Sequence, residues 1–188
     1  MSGAGVRLFF ALWPPSGVKA ALADLQRDLG EAGRPVPRER LHLTVLFVGD
    51  GDPERVAAAG ARAAAAVAPA RLDLDHIGFF ARAGVVWVGT QAAPEPLVAL
   101  HRELRQRLRR LGQAFDDKPL RPHVTLFRKA APPAFRTPPV PLHWRIGELT
   151  LVASQRGAAG PDYRVLGRWP LGAARAPDSP DTLTLGDC

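Results

Sequence analysis

The sequence predicts an α+β fold whose sheets are largely antiparallel. Three observations carry this. Apolar runs of strand length and amphipathic stretches of helix length follow the order strand-helix-strand-helix-strand-strand-helix-strand-strand-strand. Two neighbouring strands are joined only by Arg82-Ala83-Gly84, far too short for a parallel crossover. The chain closes on consecutive strands, unlike the regular alternation of a doubly wound parallel sheet.

Each element has a local reason. Val6 to Trp13 is apolar and aromatic and is stopped by Pro14-Pro15, which reads as a buried strand. Ser16 is placed to cap the following helix, with Leu22, Leu25 and Leu29 on one face and Gly30 at its end. Gly33 to Arg40 is a Pro- and Arg-rich loop. Leu41 to Val48 is a strand, and Pro53 then opens an Ala-rich helix reaching Ala68. Arg71 to Phe79 and Val85 to Val88 form the hairpin about Arg82-Ala83-Gly84. Leu97, Leu100, Leu104, Leu108 and Leu111 recur at three- and four-residue spacing, an amphipathic helix over 94–111 closed by Gly112. A strand follows at 122–128, then a Pro-rich excursion over 131–141. Strands near Trp144–Ala153 and Tyr163–Leu171 complete the pattern. Residues 1–172 are expected to form one domain, and 173–188, with no periodicity, a disordered tail.

Composition narrows the function classes. The chain has 188 residues and is 46% apolar, enough for a substantial core. No segment approaches the ~18 consecutive apolar residues of a membrane span. The first residues show no basic and apolar leader pattern, so a cytoplasmic protein is expected. Cys188 is the one cysteine, which excludes an intrachain disulfide and disfavours a thiolate metal site. The five His, at 42, 76, 101, 123 and 143, show no local metal-ligand spacing, and no metal or cofactor is expected. The formal charge of +7 favours anionic partners such as nucleic acid or phosphate. Arg-, Ala-, Gly- and Pro-rich composition could produce the same charge without a partner.

The chemistry lies in two strings, His42-Leu43-Thr44-Val45 and His123-Val124-Thr125-Leu126, 81 residues apart. Residues i and i+2 of a strand share a face. Each string therefore sets an imidazole beside a hydroxyl and sends Leu43 or Val124 to the opposite face. Thr fills 7 of 188 positions, so two such pairs among five His arise by chance in roughly 1–2% of comparable chains. Both strings sit on strands preceded by a helix and a loop, the pattern of a duplication whose halves face one cleft. Two imidazoles and two hydroxyls without a carboxylate suit acid–base chemistry on a phosphodiester.

The other candidates read differently. His101 is placed on the polar side of its helix, and His76 and His143 have surface or packing roles. The helical Arg102, Arg105, Arg107, Arg109 and Arg110 form a solvated face. Phe9 reads first as a core aromatic, with base stacking as the alternative. Arg128 follows the second string and can reach a phosphate, but strict alternation turns it away from His123 unless the strand bulges.

These residues resemble the 2H phosphoesterase superfamily, marked by two His-x-Thr-x motifs. More narrowly, the chain looks like the RNA 2′,3′-cyclic phosphodiesterases, also described as 2′-5′ RNA ligase-like proteins. The resemblance spans about residues 6–171. It includes Arg7-Leu8-Phe9-Phe10-Ala11, Gly84-Val85-Val86-Trp87, Arg121-Pro122-His123 with Arg128, and Tyr163, Leu166 and Trp169. It implies a bilobal α+β fold with two pseudo-symmetric lobes, outer helices and a central cleft. It implies metal-independent hydrolysis of a ribose 2′,3′-cyclic phosphate, on RNA ends or nucleotides, to a 2′-phosphomonoester. His42 would be the proton donor, His123 the proton acceptor, and Thr44 and Thr125 would hold phosphoryl oxygens. Phe9 and Arg128 fall where the family holds base or phosphate. A monomer is expected. Two alternatives stay open: an RNA- or nucleotide-binding module without turnover, and a phosphodiesterase or ligase acting on 2′-5′ linkages.

Overall fold

The computed structural model describes residues 7–157 and 160–172. The expected tail at 173–188 and the strand residue Val6 lie outside them. Ten strands are present among the described residues: β1 Arg7–Leu12, β2 Arg34–Pro35, β3 Leu43–Gly49, β4 Ala70–Leu74, β5 His76–Phe80, β6 Val85–Gly89, β7 His123–Arg128, β8 Leu142–Ile146, β9 Glu148–Gly157 and β10 Gly160–Pro170. Three α-helices join them, α1 Ser16–Asp28, α2 Pro53–Ala65 and α3 Glu95–Arg110. Every strand pairing is antiparallel, as the sequence predicts.

The main sheet runs β10-β9-β1-β3-β7-β6-β5, with β2 added on β7. Its centre is thin. β3 and β7 share one register pair, Leu43 opposite Val124. These are the middle residues of the two His-x-Thr strings. The sheet thus divides into β10-β9-β1-β3 and β7-β6-β5 about a pseudo-two-fold point between the strings. In this relation β3 corresponds to β7, and β1 to β6.

Leu43 and Val124 are fully buried and belong to the main core, as alternation requires. Leu8, Phe10 and Leu12 of β1 join them, with Leu22 and Leu25 of α1, Val56 and Ala63 of α2, and Leu97, Leu100, Leu104 and Leu108 of α3. Each fully buried Leu of α3 contributes roughly 1.5–3 kcal/mol relative to an exposed one. The opposite face of β1 carries Phe9 and Ala11, which pack with Val152, Trp13 and Tyr163 in a second, smaller cluster. The helices therefore back one face of the sheet and leave the His face open.

Local chemistry sets the helix ends. Asp52 caps α2, its carboxylate accepting from the Glu54 N–H at 2.9 Å and the Arg55 N–H at 3.4 Å, with Pro53 in the first turn. Gly30 and Gly112, at φ of 63° and 66°, close α1 and α3 in the left-handed region. Ser16 does not cap α1. The helix begins one residue earlier in register than expected, with Pro15 at the cap and no side-chain cap bond. Proline needs no partner for an amide hydrogen it lacks.

Three expectations need correction. The run Arg71 to Phe79 is two strands. The chain turns at Asp75, whose N–H donates to the Gly89 carbonyl and whose carboxylate accepts from the Gln91 N–H. Only β5 makes the expected hairpin with β6. β4 leaves the main sheet and pairs with β8, a partner about 70 residues away. The apolar stretch Trp144–Ala153 is likewise broken at Gly147 into β8 and β9. His101 is not on the polar side of α3 but 6% exposed. It lies four residues after Leu97 and three before Leu104, within the buried stripe, and its polar type hid that position. Of the arginines expected on a solvated face, Arg102, Arg109 and Arg110 are exposed, whereas Arg105 and Arg107 are half-buried. Arg105 and Arg109 pair with Asp117, Arg107 with Glu103 and Arg102 with Glu95.

Candidate active site

His42 lies just before β3 and His123 begins β7. Their surroundings repeat one another. His42 Nδ1 lies 2.7 Å from the Arg40 carbonyl oxygen, and His123 Nδ1 lies 2.6 Å from that of Arg121. A carbonyl only accepts, so each Nδ1 carries the hydrogen and each neutral ring keeps its lone pair on Nε2. The same i−2 contact fixes both tautomers. Aromatic rings hold each imidazole from the side. His42 meets Phe9, Trp13 and Tyr163 at centroid distances of 5.3, 5.0 and 5.4 Å. His123 meets Phe80 and Trp87 at 5.2 and 5.7 Å.

The strands bulge at matched positions. Ala11 pairs with Thr44 and Phe10 with Leu46, leaving Val45 as an extra residue. Trp87 pairs with Thr125 and Val86 with Phe127, leaving Leu126 extra. Each bulge follows the motif threonine directly and inverts the facing of later side chains. In β7 both Leu126 and Phe127 are buried, and Arg128 emerges on the His123 side. The condition that would bring Arg128 into the site is therefore met.

The result is a cleft of about 650 Å³ lined by His42, Thr44, His123, Thr125 and Arg128. Phe9 is not among its walls. It is 4% exposed and sits behind His42. Lys129, which with Arg128 directly follows the second string in sequence, also lines the cleft, and sequence reasoning missed three further contributors, Arg34, Arg40 and Tyr163. Arg34 comes opposite Arg128 through the short β2–β7 pairing, which no local pattern announces. Tyr163 comes from β10, at the far edge of the sheet order. The described lining residues include four cations, Arg34, Arg40, Arg128 and Lys129, and no Asp or Glu. Such a cleft favours an anion. No group of three or more His, Cys, Asp or Glu among the described residues could hold a metal ion. His76 packs against Trp87, and His143 pairs with Asp73 on the small sheet.

Burial lowers the pKa of His42 from 6.5 to about 4, only partly opposed by the Arg40 carbonyl and reinforced by the charges of Arg128 and His123. Burial also lowers His123, again with Arg128 against protonation and the Arg121 carbonyl favouring it. Burial raises Tyr163, against the nearby Arg128 and Arg40. Both imidazoles are thus neutral at pH 7. A bound anion would offset Arg128 and let one of them take a proton. A neutral and a charged imidazole on two sides of an anion can respectively take and give a proton.

Between about pH 6.5 and pH 4 the unfolded chain protonates His42 while the native state refuses the proton. Stability is therefore lost as pH falls through that window, by about 3 kcal/mol from this residue. His42→Asn, whose amide can still donate to the Arg40 carbonyl, should show a smaller drop in Tm between pH 7 and pH 5 than the unsubstituted protein. Equal drops would reject this origin.

The architecture has known counterparts. The profile of the 2′-5′ RNA ligase superfamily matches residues 14–158. The chain belongs to the 2′-5′ RNA ligase superfamily. Among its relatives in that superfamily is an RNA 2′,3′-cyclic phosphodiesterase of Escherichia coli (strain K12), 35% identical over 170 residues, covering 88% of this chain and 96% of that protein. Another of the same description, from Thermus thermophilus, is 37% identical over 181 residues, covering 88% and 90%. The crystal structure of E. coli LigT complexed with 3′-AMP superposes with a TM-score of 0.79 at 31% identity, covering 88% of this chain and 98% of that one. The α+β architecture of the superfamily is thus this chain's own. No helix among the described residues is long and apolar enough to cross a membrane.

Proposed function

We propose that the cleft hydrolyses a ribose 2′,3′-cyclic phosphate, on an RNA end or a nucleotide, to a 2′-phosphomonoester without a metal. The observation that carries this reading is the matched imidazole pair, each locked with Nε2 as the lone-pair nitrogen, beside a cleft of four cations and no carboxylate. The relatives described as RNA 2′,3′-cyclic phosphodiesterases support the same substrate class.

In this mechanism the phosphate lies between the two rings. His123 Nε2 accepts a proton from water as the water oxygen attacks phosphorus in line with the 3′-oxygen. The bond from phosphorus to the 3′-oxygen breaks, and protonated His42 gives its Nε2 proton to that oxygen. Phosphate is left on the 2′-oxygen. Thr44 and Thr125 donate to the non-bridging oxygens as their charge grows, and Arg128 balances the anion. β-Branched Thr suits the task, because a strand restricts its χ1 and aims the hydroxyl. Arg128 has a second effect. Beside the larger effect of burial, it lowers both imidazole pKa values, and the charge of a bound substrate anion acts in the opposite direction, in favour of the imidazolium. The chain is expected to act as a monomer on RNA or nucleotide ends, outside any membrane.

The test uses 2′,3′-cyclic nucleotides and oligonucleotides ending in a cyclic phosphate, with products identified by phosphorus NMR. A 2′-phosphate product formed equally well in EDTA is expected. A 3′-phosphate would reverse the leaving group, and loss of turnover in EDTA, restored by a divalent cation, would remove the metal-free mechanism.

A further inference from the structure

The pseudo-two-fold relation fails at one informative position. Phe47 lies five residues after His42, and Arg128 lies five residues after His123. Each follows its motif threonine by three residues and its bulge by two. Both are the exposed residue after a buried pair, Val45-Leu46 in one strand and Leu126-Phe127 in the other. The same backbone device therefore delivers a guanidinium on one side of the histidines and a phenyl ring on the other.

Phe47 does not line the cationic cleft. It lines a separate chamber of about 460 Å³ whose wall, formed by Thr44, Phe80 and His123, is shared with that cleft. Leu120 adds a further apolar surface there. Phe47 is 37% exposed and is one of three large apolar side chains exposed among the described residues, with Val140 and Val165. Of the three, it alone borders the histidines. Of the charged groups at the chamber, Lys118 bonds Asp116 at 2.8 Å, and Arg121 is the other cation there. The chamber is thus ligand-sized, aromatic and weakly charged. It opens off a site suited to phosphate, where the cleft itself already offers Tyr163 as a ring.

We propose that this chamber is a second nucleobase subsite, which takes the base of the nucleotide preceding the terminal cyclic phosphate and stacks it on Phe47. The inference rests on the reading of the cleft as a cyclic-phosphate site. Continuity of the wall identifies the occupant as part of the same substrate. A flat apolar ring beside an anion site fits a base linked to that anion, and stacking on an aromatic face is indifferent to base identity. The enzyme is then built for RNA ends over free cyclic nucleotides.

The experiment compares a 2′,3′-cyclic mononucleotide with a dinucleotide ending in the same cyclic phosphate. The unsubstituted protein should favour the dinucleotide in kcat/KM by about tenfold or more, the scale of one base stacked on an aromatic ring. Phe47→Ala should reduce that ratio to near one, and Phe47→Tyr should restore it. A ratio unchanged within twofold in Phe47→Ala, or equal losses on both substrates, would overturn the subsite. Calorimetric binding of the 2′-phosphorylated mono- and dinucleotide gives the same comparison without turnover. Absence of hydrolysis with a preserved dinucleotide preference in binding would sink the phosphodiesterase reading and keep the subsite. Equal binding of both ligands would sink the subsite alone.

Discussion

Replacing His123 with Ala is expected to lower kcat/KM for a ribose 2′,3′-cyclic phosphate by about 10²–10⁴-fold, and replacing His42 to do the same. The two losses should not add. Acid and base act in one displacement, so the double variant should fall little below the worse single variant. The pH profiles separate the roles. Loss of the base at His123 should flatten the acid limb of the rate profile, and loss of the acid at His42 the alkaline limb. Stability should change in the opposite sense to activity at low pH, because each ring is held neutral by burial at a cost that an alanine does not carry. The measurements are steady-state rates from pH 5 to 9 with thermal unfolding of the same samples. Activity of either single variant within about tenfold of the unsubstituted protein would reject the paired-histidine mechanism. Exchanged limbs would invert the assignment of donor and acceptor.

The part of this site that could be read from the sequence is the part that depends on local periodicity. Alternation along a strand is enough to set His42 beside Thr44 and His123 beside Thr125, and to send Leu43 and Val124 into the core. The Leu spacing of α3 is equally local. The rest is set by pairing or by a break in alternation, so Arg128 could be named only on the condition of a bulge. Arg128 faces the cleft only because Leu126 is an extra residue opposite β6, and an extra residue is defined by its partner strand. Arg34 arrives through two residues of β2. The division of Arg71 to Phe79 reflects the distant β8, which competes for β4. His101 failed for a different reason. Its spacing puts it in the apolar stripe although its residue type is polar, and burial in α3 follows the spacing.

The two bulges decide which later side chains reach the site. A pair of unbroken strands would present His and Thr to the cleft but would leave positions 47 and 128 facing the core. With the bulges, each half of the site gains a fifth-position side chain at its rim. Because the bulges after the two threonines are matched, positions 47 and 128 share a backbone setting and differ in side-chain chemistry, although β3 carries a further shift at Val48 that β7 lacks. The cation in the cleft and the aromatic ring in the adjoining chamber give the site a direction that its two matched histidines lack.

Gly89→Ala is expected to be the most damaging change outside the cleft. Gly89 is buried at the end of β6 and pairs with His123. A Cβ there would lie 2.3 Å from the carbonyl oxygen of Pro122 and 3.0 Å from the Trp87 ring. The ring could tilt, but the carbonyl cannot. It belongs to a proline with a fixed φ and immediately precedes His123. Relief therefore requires the start of β7 to move, and with it the Nδ1 contact to Arg121 that orients the imidazole. Overpacking of this kind costs about 1–3 kcal/mol. Displacement of a reacting group by about 1 Å can cost 10²-fold in rate. Gly17→Ala is the matched comparison, since its Cβ would meet nothing within 4 Å and it lies in the first turn of α1. That change should be neutral or stabilising by up to about 1 kcal/mol, through the entropy of the unfolded chain. Urea unfolding and kcat/KM on a cyclic nucleotide measure both variants. If Gly89→Ala matches Gly17→Ala in midpoint and rate, the close approach of β6 to Pro122 does not position His123.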